Sequence, residues 1–310
     1  MRLLFIRFSA IGDIVLASPA LRCAKQQIPG VEIHFLTKKS MKAVSEANPY
    51  VDQFHYFDKD LSVTIQELKA YQFDYIIDLH NNLRTLKIKK ELKVKSFSFN
   101  KLNVQKWLLT NLKINRMPAV HIVDRCLDTV KSFGVKNDGK GLDYFIPVEE
   151  ETKQADLPHA HALGYIGLVI GAAHATKKLP VHQLQKLCAA LQHPIVLLGG
   201  PDDKAAGDEI ASIDAVKIYN ACGKFSINES ADLVRKAKLI ISHDTGLMHI
   251  AAALKKPIIS VWGNTVPAFG MTPYYPADFD DSNSTILEVE NLKCRPCSKI
   301  GFDFCPKGHF

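Results

Sequence analysis

The stretch "ISHDTGLMHIAAALKKPIISVWG", residues 241–263, sets a carboxylate, a hydroxyl, a glycine and a histidine into the turn between two apolar runs. Asp244 and Thr245 stand where a helix begins, Gly246 falls in its first turn, and His249 is four residues beyond Thr245 and so on the same helical face. The N–H groups at such a helix start are unpaired, and the helix dipole favours an anion there. A cap needs only one of Asp244 and Thr245. The pair, with a glycine and a histidine on the same face, reads as a pyrophosphate and sugar site, with a core histidine beside an ordinary cap as the alternative. Three further turns follow the same plan. In "FSAIGDIV" Gly12 allows a tight turn, and Asp13 is either a helix cap or a carboxylate aimed at a ligand. In "GAAHATKKLP" small residues precede Lys177 and Lys178, which suits a phosphate or a plain surface lysine pair. In "LLGGPDDKAAGDEI" Asp202 or Asp203 caps a helix or holds ribose hydroxyls.

These turns need strands behind them. Apolar runs at 3–8, 32–36, 53–57, 75–79 and 96–99 alternate with amphipathic helices at 13–27, 41–47 and 64–70 and near 101–111 and 120–133. After Pro147 the polar stretch "VEEETKQADLPHAHA" reads as a linker. A second series begins beyond it, with strands at 165–170, 195–198, 216–218, 239–242 and 258–262 and helices at 181–191, 203–211, 228–236 and 245–254. Strand–helix alternation means right-handed crossovers and parallel sheets. The reading is therefore α/β, with two doubly wound domains, 1–155 and 156–310, facing a cleft. Ligands of such sheets sit outside the carboxyl ends of the strands, where the four turns lie.

Composition sets the outer limits. The chain has 310 residues, 47% hydrophobic and 23% charged, ordinary values for a globular protein long enough for two domains. Arg7 and Asp13 interrupt what would be the apolar core of a signal peptide, and no apolar run approaches the ~20 residues of a membrane span. A cytoplasmic location is expected. Neither Gly-x-Gly-x-x-Gly nor a Walker motif occurs. Seven cysteines without a secretory signal argue against a disulfide framework. The net charge is +7, and between Arg84 and Arg116 ten basic residues face a single acid, Glu91. Nucleic acid, an anionic membrane, a polyanionic substrate or a solvated helix face would each account for that block.

Taken in order, "IRFSAIGDIVLASPAL", "YIIDLHNNLRT", "GAAHATKKLP", "LLGGPDD", "ISHDTGLMHIAAAL" and "CRPCSKIGFDFCPKGHF" resemble the ADP-heptose:lipopolysaccharide heptosyltransferases, glycosyltransferase family 9, from Met1 to Phe310. The resemblance implies a GT-B fold of two Rossmann-like domains, the first binding the acceptor and the second the nucleotide-sugar. It implies an inverting, metal-independent transfer of L-glycero-D-manno-heptose from its ADP donor to the inner core of lipopolysaccharide. No cofactor is expected. By the same resemblance Asp13 is the general base and Lys177 the contact to the donor phosphates. Asp203 is the ribose acid, and Asp244, Thr245, Gly246 and His249 form the donor-binding helix start. Gly12 and Thr176 count among the substrate contacts. The partners implied are ADP-heptose and an anionic glycolipid at the inner membrane, with peripheral membrane contact and without nucleic acid, and the basic block gains the task of recruiting them. A transferase using another nucleotide sugar, a sugar-nucleotide epimerase and a non-catalytic binding protein are the alternatives. Cys294, Cys297, Cys305 and His309 resemble a structural zinc knot, against the plainer reading of a reduced, packed tail.

Overall fold

The computed structural model describes residues 1–309. They form two compact units, residues 1–102 with 120–145, and residues 103–119 with 146–309. Among the described residues no helix is long and apolar enough to cross a membrane.

In chain order the first unit runs β1 (Arg2–Ile6), α1 (Ile11–Gln27), β2 (Glu32–Lys38), α2 (Lys42–Ser45), β3 (Gln53–Phe57), α3 (Leu61–Lys69), β4 (Tyr75–Asp78), α4 (Leu83–Leu92) and β5 (Ser96–Ser98). The short α5 (Asn103–Trp107) belongs to the second unit, and α6 (Ile122–Leu127) returns to the first. All strand pairs are parallel, in the order β3-β2-β1-β4-β5. Beyond Arg2, β1 is apolar because helices cover both sheet faces, and Leu3, Leu4, Phe5 and Ile6 are fully buried. Leu4, Ile6 and Phe8 pack with Leu68 of α3 and Ile88 of α4 in one core. Pro19 lies inside α1 and lacks the N–H that Val15 would bond, and the Ser18 hydroxyl donates to that carbonyl instead at 2.7 Å. Arg22, also on α1, is buried and bonds Asp138 through two nitrogens at 2.8 Å, the Gly141 carbonyl at 2.9 Å, and Asp143. That network ties the 138–143 segment to the helix.

The second unit continues with β6 (Ile166–Val169), α7 (Val181–Ala190), β7 (Ile195–Leu198), α8 (Lys204–Ala211), β8 (Ile218–Asn220), α9 (Ile227–Lys236), β9 (Leu239–His243), α10 (Gly246–Ala253), β10 (Ile258–Trp262) and β11 (Ser284–Glu288). Its sheet is also parallel, in the order β11-β10-β9-β6-β7-β8. In both sheets the first strand lies centrally and the chain order reverses beside it, between β1 and β4 and between β6 and β9. These are the switch points at which doubly wound sheets take ligands.

Three sequence expectations change. α4 was not anticipated, because its lysines obscure the Thr85–Ile88 stripe that faces the core. β11 was not anticipated either, since as an exposed edge strand it carries almost no inward face. The stretch read as a linker is packed: Thr152 donates to buried Asp232 from its amide at 2.8 Å and its hydroxyl at 2.6 Å, and Ser226 and Asn228 both donate to Glu150.

Candidate active site

In the first unit the carboxyl edge of β1 and β4 is organised by Arg7, directly after β1. This buried side chain donates from Nε to the Ser9 carbonyl at 3.0 Å and from Nη1 to the Leu79 carbonyl just beyond β4. Its Nη2 meets Asp13 Oδ1 at 2.5 Å. Asp13 is the third residue of α1, and its Oδ2 accepts the Ala10 amide at 3.0 Å. The helix thus begins on a carboxylate that also bridges to a cation at the switch point. Gly12 is buried within the first turn of α1 rather than in a tight turn before it. His80, two residues after β4, lies against Phe8 with ring centroids 4.9 Å apart. Burial, and then the charges of Arg7 and Lys101, push His80 down to about 4, so its imidazole is neutral near pH 7. Behind Asp13 on α6, burial pushes the Cys126 thiol up to about 12, which makes it a core residue rather than a nucleophile.

In the second unit the loop after β6 and the start of α10 meet through Lys177. Its Nζ donates to Asp244 Oδ2 at 2.6 Å and to the Asp244 carbonyl at 3.2 Å. The Thr265 hydroxyl donates to the same Oδ2 at 2.9 Å. Asp244 is therefore committed to Lys177 and Thr265 and does not cap the helix. Thr245 holds the N-cap position, and its side chain makes no cap bond. The first N–H groups of α10 are thus uncovered by any side-chain cap, beside a lysine and the half-exposed Thr245, Gly246 and Leu247. That arrangement is chemically an anion seat.

Beside it Lys178 pairs with Asp203 Oδ1 at 2.7 Å, and Asp203 Oδ2 accepts the Gly200 amide at 3.0 Å. Gly171 makes room for this carboxylate, since a Cβ there would stand 2.3 Å from Asp203 Oδ2. His243, at the end of β9, accepts the Leu179 amide on Nε2 at 2.9 Å and fixes the segment between the lysines and α7. Burial, and then Lys178, push it down to about 4.

The structure thus gathers Lys177, Asp244, Thr245 and Gly246 at one switch point and sets Asp203 and Lys178 alongside. Two other expected contacts have different surroundings. His249 is buried inside α10. Thr176 is also buried, and its hydroxyl exchanges hydrogen bonds with Phe302, donating at 3.1 Å and accepting at 2.8 Å, which pins the C-terminal tail. Arg7, His80, His243 and Thr265 were missed by sequence reasoning. Arg7 does leave a signal in the sequence, a charge that closes the apolar run of β1.

Cys294, Cys297, Cys305 and His309 line one small pocket with Thr176 and Asn264. Cys294 Sγ lies 3.7 Å from His309 Nδ1, and the His309 amide donates to Cys305 Sγ at 3.4 Å. Among the described residues no three His, Cys, Asp or Glu side chains are arranged to hold a metal ion. Arg295, between the first two of these cysteines, holds the tail to the loop after β10 by donating to the Gly263 and Thr265 carbonyls at 2.6 and 2.8 Å.

Residues 63–301 match the family model of glycosyltransferase family 9 (heptosyltransferase). Lipooligosaccharide heptosyltransferase 2 of Haemophilus influenzae is 26% identical, over 97% of this chain and 93% of its own length. Lipopolysaccharide heptosyltransferase 1 of Campylobacter coli is 23% identical, over 98% of this chain and 94% of its own. In fold, the chain is similar to a family 9 glycosyl transferase from Veillonella parvula, with a TM-score of 0.74, 21% identity, and coverage of 93% and 86% of the two chains. The E. coli heptosyltransferase WaaC, solved with ADP, gives 0.70 and 21%, with 93% of each chain covered. These two sheets are accordingly those of the GT-B heptosyltransferases, and the chain belongs to glycosyltransferase family 9, the heptosyltransferases.

Proposed function

We propose that the chain transfers a heptose from an ADP-heptose donor to the anionic inner core of lipopolysaccharide, by a single displacement that inverts the anomeric centre. The observation that carries this reading is the Lys177 side chain at an uncapped helix start on the switch point of the second sheet. A departing diphosphate gains charge as the glycosidic bond breaks. A fixed ammonium and oriented N–H groups stabilise that charge with little reorganisation. The cationic role is thereby assigned to protein groups rather than to a metal ion. The WaaC structure solved with ADP supports the choice of nucleotide.

The second unit takes the donor in this reading, with Asp203 toward the ribose. The first unit takes the acceptor, whose hydroxyl loses its proton to Asp13. Arg7 and the Ala10 amide hold that carboxylate in one orientation, so general-base help is available without a search through rotamers. The acceptor is an amphiphile, so the work is placed at the cytoplasmic face of the inner membrane.

The deciding experiment incubates the purified chain with ADP-heptose and a heptose-acceptor glycolipid, with and without EDTA, and reads product anomeric configuration by NMR. An inverted linkage formed equally well with EDTA is expected. Retention, or dependence on a divalent ion, overturns the mechanism. A changed nucleotide-sugar formed without any acceptor would make the chain an epimerase.

A further inference from the structure

The carboxyl edge of the first sheet carries a surface that transfer chemistry does not use. α4 starts there, after β4, capped by Asn82, whose side chain accepts the Arg84 and Thr85 amides at 2.9 and 3.0 Å. Thr85 and Ile88 face inward and are fully buried. The outward face should then be polar. Instead it presents Leu83, 85% exposed, and Leu86, 56% exposed, interleaved with exposed Arg84, Lys87 and Lys90. Lys87 Nζ lies 3.4 Å from Ser62 Oγ, which brings the first turn of α3, with Val63 56% exposed, alongside. The one acid on α4, Glu91, is bonded by Lys69 at 3.0 Å. Arg84 and Lys90 have no side-chain hydrogen bond or ion pair among the described residues. Lys93 and Lys95 extend the same sign beyond the helix.

Apolar prongs set among unneutralised cations match an anionic bilayer: the ammonium and guanidinium groups meet lipid phosphates, and the leucines enter the boundary between headgroups and acyl chains. An acidic protein groove would satisfy the charges, but it would not need two leucines so fully in water. We infer that the outer face of α4, with the first turn of α3, docks this chain on an anionic lipid surface. α4 follows β4, and Asp13 follows the adjacent β1, so docking sets the proposed proton acceptor beside the headgroup layer. The inference deepens the proposed reading, whose acceptor is a membrane glycolipid. Its test uses vesicles without donor or acceptor, so the two can fail separately.

The intact chain is floated with phosphatidylglycerol/phosphatidylcholine vesicles and with pure phosphatidylcholine vesicles at low and high salt. Binding to the anionic vesicles alone, weakening with salt, is expected. Lys87→Gln with Lys90→Gln should lower the affinity roughly five-fold for each cation removed. Leu83→Asp with Leu86→Asp should lower it at least on the order of ten-fold, while ADP affinity by calorimetry stays unchanged and certifies the fold. Failure of the unaltered chain to bind anionic vesicles overturns the inference. So does undiminished binding by the leucine variant, or full displacement by inorganic phosphate. Should the leucine variant lose ADP binding, Leu83→Trp replaces it: its emission, after subtraction of the parent chain with Trp107 and Trp262, should move to shorter wavelength on anionic vesicles, and an unmoved spectrum overturns the docking face.

Discussion

Lys177 Nζ stands 2.6 Å from Asp244 Oδ2, and that one ion pair spans the switch point of the second sheet, from the loop after β6 to the entrance of α10. The pair sets the ammonium next to N–H groups that no side chain caps. Lys177→Ala should therefore weaken ADP binding on the order of ten- to hundred-fold, as expected when a charged hydrogen bond to a phosphate is lost. Asp244→Asn should weaken it less, since the amide oxygen keeps a contact to the lysine while the charge that orients it is gone. Calorimetric titration with ADP ranks the two, and equal affinity for Lys177→Ala and the parent chain would remove the phosphate role.

In the proposed reading Asp13 accepts the proton of the acceptor hydroxyl, and Arg7, paired with it at 2.5 Å, holds that carboxylate in place. Asp13→Asn keeps the size and the Ala10 contact and removes the basicity. It should retain ADP affinity and lose roughly 10²–10⁴-fold in turnover. Arg7→Gln acts through the carboxylate, so it should lower kcat more than KM for the acceptor. Steady-state rates with varied acceptor separate the two effects. Near-full turnover in Asp13→Asn would send the base assignment elsewhere, with His80 the next group to test.

Gly171 has a reason that is local and steric. A methyl group there meets the Asp203 carboxylate, which must swing away from both Lys178 and the Gly200 amide. The obstacle is a mobile side-chain end rather than backbone, so Gly171→Ala should cost no more than about 1–2 kcal/mol of stability. If Asp203 holds the ribose, the variant should lose ADP affinity to the same degree as Asp203→Ala. Loss in one variant without the other would separate Asp203 from the donor.

Much of this was legible in the sequence because strand ends and helix starts have strong local signals. The apolar runs placed ten of the eleven strands, two of them only as overlapping spans, and the turns after four of them held the charged residues. What failed was long-range. Nothing in "IRFSAIGDIV" says that Arg7 turns back to Asp13 and reaches Leu79, since that depends on β4 pairing beside β1. Thr176 reads like its neighbours Lys177 and Lys178, yet its hydroxyl is spent on a tail residue far along the chain. His249 shares a face with Thr245 by spacing, and tertiary packing turns that position of the helix inward.

Arg22 should dominate the stability of the first unit. It is buried, and its partners Asp138 and Asp143 are carboxylates. Arg22→Met leaves both acids without their cation, a loss of about 3–5 kcal/mol for a broken buried pair. A denaturant titration should show the first unit unfolding at markedly lower concentration, with ADP binding by the second unit retained. A midpoint unmoved from the parent chain would mean that the acids find other cations or water.

Stability should fall on the acid side of neutrality, and His243 supplies part of the slope. Its ordinary value is near 6.5, and burial beside Lys178 takes it down to about 4 in the folded chain. Between those values the unfolded chain binds the extra proton, so the contribution is complete above pH ~6.5 and is lost as pH falls toward 4. The full loss at this one buried imidazole is about 3 kcal/mol. Protonation also competes with the bond that Nε2 accepts from the Leu179 amide, next to the two lysines of the proposed donor site. His55 and His80 are pushed down to about 4 in the first unit and add slopes of the same sign there. His243→Gln keeps an acceptor for the Leu179 amide and removes the titration. It should be less stable than the parent chain at pH 7.5, through imperfect packing, yet lose less between pH 6.5 and 4.5. Urea midpoints across that range, followed by a probe of the second unit, test this directly, and parallel curves for the two proteins would rule His243 out as the source.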